Sequence, residues 1–201
     1  MKKSNIVVLE PINKNNKQNL SEINLIALTG LFLSLAFLFQ IFQIPIYYFI
    51  SIDATIGIIM IASIYLDFKR TIFITIAAPF FSFFGFSGSD FVGFLILETL
   101  YISFILLFLF FKNIFSKKKL SILIPIFLST VLSTLILITL NLLIFYPIYF
   151  GFDYSILFSE ENIKTYFSMV LLITISSTFA RIILSSIIFF VFCKTLKKSF
   201  F

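Results

Sequence analysis

The stretch LNLLIFYPIYFGFD, Leu140–Asp153, closes a long apolar run, and the reading of the whole chain turns on it. An amide, Asn141, stands about one turn before the run stops. Two phenols, Tyr146 and Tyr149, follow around Pro147. The apolar residues extend back to Ser121, and a segment of about 20 such residues crosses a bilayer as a helix. A polar side chain inside such a segment is costly, so it usually faces the interior of a helix bundle or a cavity. Asn141, Tyr146 and Tyr149 are therefore read as lining a pocket that opens toward the outer membrane face.

Outward from this stretch the composition agrees. The chain has 201 residues, 60% of them hydrophobic, with 31 Phe. A soluble domain of this size could not hide so much apolar surface, so the bilayer is the expected solvent. There is no histidine, which removes the commonest general base and metal ligand. The single cysteine, Cys193, allows neither an intrachain disulfide nor a cysteine metal cluster. Residues 1–22 are polar and lack the apolar core and cleavage site of a signal peptide, so they are read as a cytoplasmic tail. A substrate-binding membrane domain is expected over 23–193, and a basic cytoplasmic tail over 194–201.

The expected fold is an all-α membrane bundle of six transmembrane helices, placed near 24–44, 53–66, 71–86, 90–111, 121–146 and 166–193. Pro45 stops the first helix. Asp67, Lys69 and Arg70 form the turn after the second, and Ser87–Ser89 break the chain before the fourth. The second and third segments are short for unaided crossing. With six spans both termini lie on one side. Thirteen of the 15 Lys and Arg residues fall on that side, in the N-terminal tail, the Asp67 turn, the Lys112–Lys119 loop and the C-terminal tail. Only Lys164 falls opposite, and Arg181 lies inside the sixth helix. Basic residues concentrate on the cytoplasmic side of membrane proteins, so both termini are expected to be cytoplasmic. The net charge of +6 then reflects topology, with no nucleic-acid partner implied.

Polar groups cluster in the outer half. Gln40 and Gln43 lie at the outer end of the first helix, Asp53 opens the second and Asp90 opens the fourth. Glu98 lies roughly 12 Å further in. Arg181 lies about 20 Å from the outer end of the sixth helix, but helical side chains lean toward the N-terminus, which brings its guanidinium near the level of Glu98. Such a set describes a cup, open outside and closed below. Plainer readings stand beside this one. Asp53 and Asp90 could be helix caps, Glu98 and Arg181 a structural ion pair, Tyr146 and Tyr149 an aromatic belt, and Asn141 a bond between helices. The chain carries no G-x-x-x-x-G-K-[ST] motif for ATP, no Ser–His pair, no HExxH and no pair of carboxylates together within the apolar segments. Neither an enzyme nor a bound cofactor is expected. A channel and a ligand-free structural membrane protein are the rivals from other classes.

These features resemble those of the membrane-embedded S components of energy-coupling factor (ECF) vitamin transporters. The resemblance covers about Ile26–Lys198. LNLLIFYPIYFG is similar to a segment typical of riboflavin-type members, matching at Asn141, Pro147 and Tyr149. YYFISIDATIGIIM resembles the family's first outer loop and second helix at Asp53, and GSDFVGFLI the start of the fourth helix at Asp90. The sequence departs from the family pattern at Ala54–Gly57 and at LDFKR, and its FARIILSSII is closer to folate-type members at Arg181. The resemblance implies a subunit of the bacterial plasma membrane that binds riboflavin or a similar planar vitamin, with folate as runner-up. The ring would stack on Tyr146 and Tyr149, Asn141 would meet its edge, and Asp53, Asp90, Glu98 and Arg181 complete the candidate set. It also implies a membrane coupling subunit and two ATP-binding subunits as partners. The small residues Ala27, Gly30 and Ser34, on one face of the first helix, are the candidate contact with the membrane partner.

Overall fold

The structure, a computed structural model, describes residues 22–47, 50–84, 90–115, 122–151 and 162–195. Helix α1 (Glu22–Ile41) leads into a hairpin of β1 (Ile44–Tyr47) and β2 (Ile50–Ile52). Then come α2 (Thr55–Tyr65), α3 (Phe68–Ala77) with a 3₁₀ continuation over Ala78–Phe84, and α4 (Phe91–Phe115). Helix α5 (Leu123–Leu140) passes through a π turn, Asn141–Phe145, into α6 (Tyr146–Phe150), and α7 (Ile163–Thr195) ends the bundle. Six helical segments thus follow in the expected order. Four of them, around α1, α4, α5 and α7, are each long and apolar enough to cross a membrane. The tails, the Ser87–Ser89 break, Lys117–Lys119 and the acidic residues Asp153, Glu160 and Glu161 lie outside the described residues.

Helix α2 explains why a short segment suffices. All eleven of its residues are buried. The sequence TIGIIMIASIY has no polar face, and a helix that is apolar all round belongs inside other helices. At 1.5 Å per residue it is only about 16 Å long, roughly half a membrane. The remaining depth is taken up by the hairpin before it. The strands Ile44–Tyr47 and Ile50–Ile52 therefore correct the expectation of purely helical structure. β-Branched Ile44, Ile46, Ile50 and Ile52 favour extended backbone, and Pro45 stops α1. The strands pair antiparallel with Ile44 opposite Ile52 and Pro45 opposite Ser51, and the register slips between Pro45 and Tyr47.

The third segment makes up its length differently. α3 and its 3₁₀ continuation together run about 29 Å, near the thickness of a bilayer core. The tightening begins next to Pro79, which has no N–H to donate to the carbonyl four residues back. Lys69 and Arg70, expected in a turn, belong to α3. Arg70 reaches back to Asp67 (2.7 Å) and across to Glu22 at the start of α1 (2.6 Å), tying that end of the bundle.

Pro147 has a similar effect on α5. In an α-helix its missing N–H would leave the Leu143 carbonyl unsatisfied, and its ring would press on that carbonyl. The preceding turn widens instead, with Tyr146 N–H bonded to the Asn141 carbonyl. Single π turns of this kind are frequent at functional sites. Gly151 then ends the helix at φ 62°, a left-handed conformation that glycine adopts without steric cost.

Candidate ligand-binding site

The shortness of α2 decides where Asp53 lies. Its position two residues before a half-length helix puts it near mid-bundle rather than at the surface. Asp53 Oδ1 accepts from the Thr55 backbone N–H at 2.9 Å, turning the chain into α2. The same oxygen accepts from the Tyr101 hydroxyl of α4 at 2.6 Å. Oδ2 lies 2.9 Å from Arg181 Nε of α7, an ion contact without hydrogen-bond direction. Gln40 Nε2 of α1 donates to the Tyr101 hydroxyl at 2.8 Å, and Gln43 Nε2, just beyond α1, donates to Gln40 Oε1. Asp53, Arg181, Tyr101, Gln40 and Gln43 are all buried. Removing two charges from water is expensive unless each is paired and its remaining sites are filled. Here the donors converge on one carboxylate, so the arrangement is a neutral polar knot joining α1, the hairpin, α4 and α7.

Arg181 therefore lies against Asp53 and not at the level of Glu98. Glu98 precedes Tyr101 by three residues, one turn nearer the hairpin end of α4 on the same side. It is half-buried, and its Oε2 is enclosed with no hydrogen-bond partner among the described residues.

A second polar contact lies at the π turn. Asn141 Nδ2 donates to Thr174 Oγ1 of α7 at 2.9 Å, while Asn141 Oδ1 is enclosed and without a partner among the described residues. The Tyr146 hydroxyl is also set against Thr174. Tyr146, Tyr166 and Val170 form a small apolar cluster with Ile96 and Leu142 packed on it, and Tyr166 donates to the Leu142 carbonyl at 2.9 Å. Asn141 thus bonds between helices and still keeps a free acceptor. Tyr149 is 37% exposed. Asp90 is exposed, and its Oδ1 accepts from Gly93 N–H at 2.6 Å, the geometry of a helix cap.

The two polar groups share α7. Thr174, Thr178, Arg181 and Ser185 recur at intervals of four, three and four, one buried helical face. Thr178 Oγ1 lies between Asn141's partner and Asp53's partner, enclosed and without a partner of its own among the described residues. This face was legible as spacing, yet only Arg181 stood out because it carries a charge. Tyr101 was missed because a tyrosine within a Phe- and Leu-rich helix looks like packing. Its three-residue spacing from Glu98 was the available signal. Among the described residues no group of His, Cys, Asp and Glu could hold a metal. Glu98 Oε2, Asn141 Oδ1 and the Thr178 hydroxyl are enclosed and can each accept a hydrogen bond that no described residue supplies.

On α1, Ala27, Gly30 and Ser34 are all exposed along one face. Ser34 Oγ returns to the Gly30 carbonyl at 2.8 Å, so its polarity is satisfied within the helix. A side chain added at Gly30 would meet nothing within 4 Å.

A family model described as ECF transporter, substrate-specific component, matches residues 24–192. No curated protein matches. A solved structure described as the S component of a bacterial ECF transporter superposes with a TM-score of 0.68 at 16% identity, covering 89% of this chain and 100% of the other. That likeness is one of fold.

Proposed function

We propose a function from one premise: the chain belongs to the family of ECF transporter substrate-specific components. It is a multi-pass membrane protein that serves as the substrate-binding subunit of a transporter and works with coupling and ATPase subunits. Within that frame we infer that it captures riboflavin at the hairpin end of the bundle, in the plasma membrane of a bacterium, with both termini cytoplasmic. The observation that carries this reading is Asn141 Oδ1, an enclosed acceptor without a partner among the described residues beside Tyr146. An amide oxygen in that state costs free energy, and a ring imide N–H would satisfy it while the flavin face stacks on an aromatic side chain. Glu98 and Thr178 would meet further donors of the ligand. Asp53 and Arg181 hold the floor of the site, and Asp90 and Tyr149 lie at its rim.

Purified protein from cells supplied with riboflavin should show a flavin absorbance spectrum. Asn141→Leu should weaken riboflavin binding about 5- to 150-fold, the effect of an unmet buried hydrogen bond. The ligand-free melt should move little, because hydrogen bonds between membrane helices average about 0.6 kcal/mol and Thr174 can bond within its own helix. An unchanged riboflavin affinity with a lowered melt would assign Asn141 to helix packing alone.

The exposed small face of α1 supports Ala27, Gly30 and Ser34 as the contact with the membrane coupling subunit. Gly30→Leu should lower uptake in cells that hold all subunits and leave ligand affinity of the isolated chain intact. Equal loss of both would place this face within the bundle.

A further inference from the structure

The charges around the site are not balanced for every vitamin. Arg181 is the only arginine or lysine buried among the described residues, and its partner is Asp53. Asp53 in turn takes a hydroxyl and a backbone donor besides, so the pair presents no net positive charge. One turn nearer the hairpin end along α4, Glu98 Oε2 is enclosed without a partner among the described residues. Other enclosed atoms without a partner among the described residues, Asn141 Oδ1 and the hydroxyls of Thr55, Thr178 and Ser185, are likewise acceptors or hydroxyls.

We propose that Glu98 is a specificity residue that makes this site select a neutral or cationic vitamin bearing N–H or O–H donors and exclude vitamins that must carry a carboxylate or phosphate into the bundle. The inference rests on the reading that this site takes a small ligand, and it narrows the class of that ligand. The physical argument is one of asymmetry. A donor on the ligand satisfies Glu98 and gains a charge-assisted hydrogen bond. An anion that faces the Glu98 carboxylate across a low-dielectric site meets strong like-charge repulsion. Drawing Arg181 away to neutralise the anion would leave Asp53 as an uncompensated buried charge. Rejection by an unfavourable contact is a general route to specificity, and Arg181, which by residue type alone suits the carboxylates of folate, does not supply that recognition here.

Three probes of different charge test this on the full-length chain in detergent: riboflavin (neutral), thiamine (cationic) and folate (anionic). Wild type should bind riboflavin, or thiamine, at least about 100-fold more tightly than folate. Glu98→Gln removes the charge at constant size and should weaken the bound neutral or cationic probe about 10- to 150-fold, narrowing its margin over folate. Thiamine binding without riboflavin would support the charge selection and overturn riboflavin as the ligand. Folate binding as tight as riboflavin overturns the selection, as does riboflavin binding that Glu98→Gln leaves unchanged; the second result leaves the riboflavin reading standing. Binding of none of the three overturns both. Should Glu98→Gln fail to fold, Glu98→Met, uncharged and of similar size, takes its place with the same expected loss.

Discussion

Asp53→Leu is expected to destabilise the bundle by about 3–5 kcal/mol, because it leaves Arg181 buried opposite an apolar side chain. Tyr101 loses its acceptor in the same step. The loss is not a measure of what the pair contributes, since burying two ions costs nearly as much as their attraction returns. The double variant Asp53→Leu, Arg181→Met should therefore recover much of the stability. Unfolding in detergent of wild type, both single variants and the double variant makes a mutant cycle. A single variant as stable as wild type, or a double variant as damaged as the sum of the singles, would show that the 2.9 Å contact is not what holds the hairpin to α7. The cycle also separates structure from recognition. A stable double variant that still binds ligand confines the pair to holding the site's floor.

The long spans were legible because length and apolarity act directly. Residues 90–111 and 166–193 were expected as helices, and α4 and α7 occupy 91–115 and 163–195. The shorter ones were less so for a physical reason. How a half-length helix is placed in a membrane depends on what surrounds it, and the apolarity of TIGIIMIASIY fixes burial but not depth. The depth of Asp53 follows from that placement. With Asp53 at the surface, Glu98 looked like the natural partner for Arg181. With Asp53 carried down by the hairpin, it meets Arg181 directly. The hairpin itself was hidden because Pro45 explains the end of a helix equally well without strands. Asn141 shows the opposite limit. Its spacing marked it as significant, but whether an amide bonds a neighbouring helix or a ligand is a matter of both its ends. Here Nδ2 is committed to Thr174 and Oδ1 is not.

Gly57→Ala is expected to destabilise the protein by about 1–3 kcal/mol, against the usual sign for this substitution in a helix. Alanine in a helix interior is normally favoured over glycine by roughly 0.8–1.0 kcal/mol. At Gly57 a Cβ would lie 2.5 Å from the Ser185 carbonyl oxygen and 3.1 Å from its carbonyl carbon and Cα. These are backbone atoms, so no rotamer change relieves the contact. α2 is enclosed on every side, so it cannot yield outward either, and α2 and α7 must separate. The consequence reaches the site. Gly57 follows Asp53 by four residues and Ser185 follows Arg181 by four, so the close approach lies one turn below the ion pair on both helices. The missing side chain at Gly57 is thus what lets Asp53 come within 2.9 Å of Arg181. Gly30→Ala is the control, because nothing lies within 4 Å of an added Cβ there, and it should stabilise the bundle by up to about 1 kcal/mol. Melts of the two variants in the same detergent are expected to move in opposite directions. If Gly57→Ala melts at or above the temperature of Gly30→Ala, the two helices are not in backbone contact, and the ion pair owes its geometry to something other than their approach.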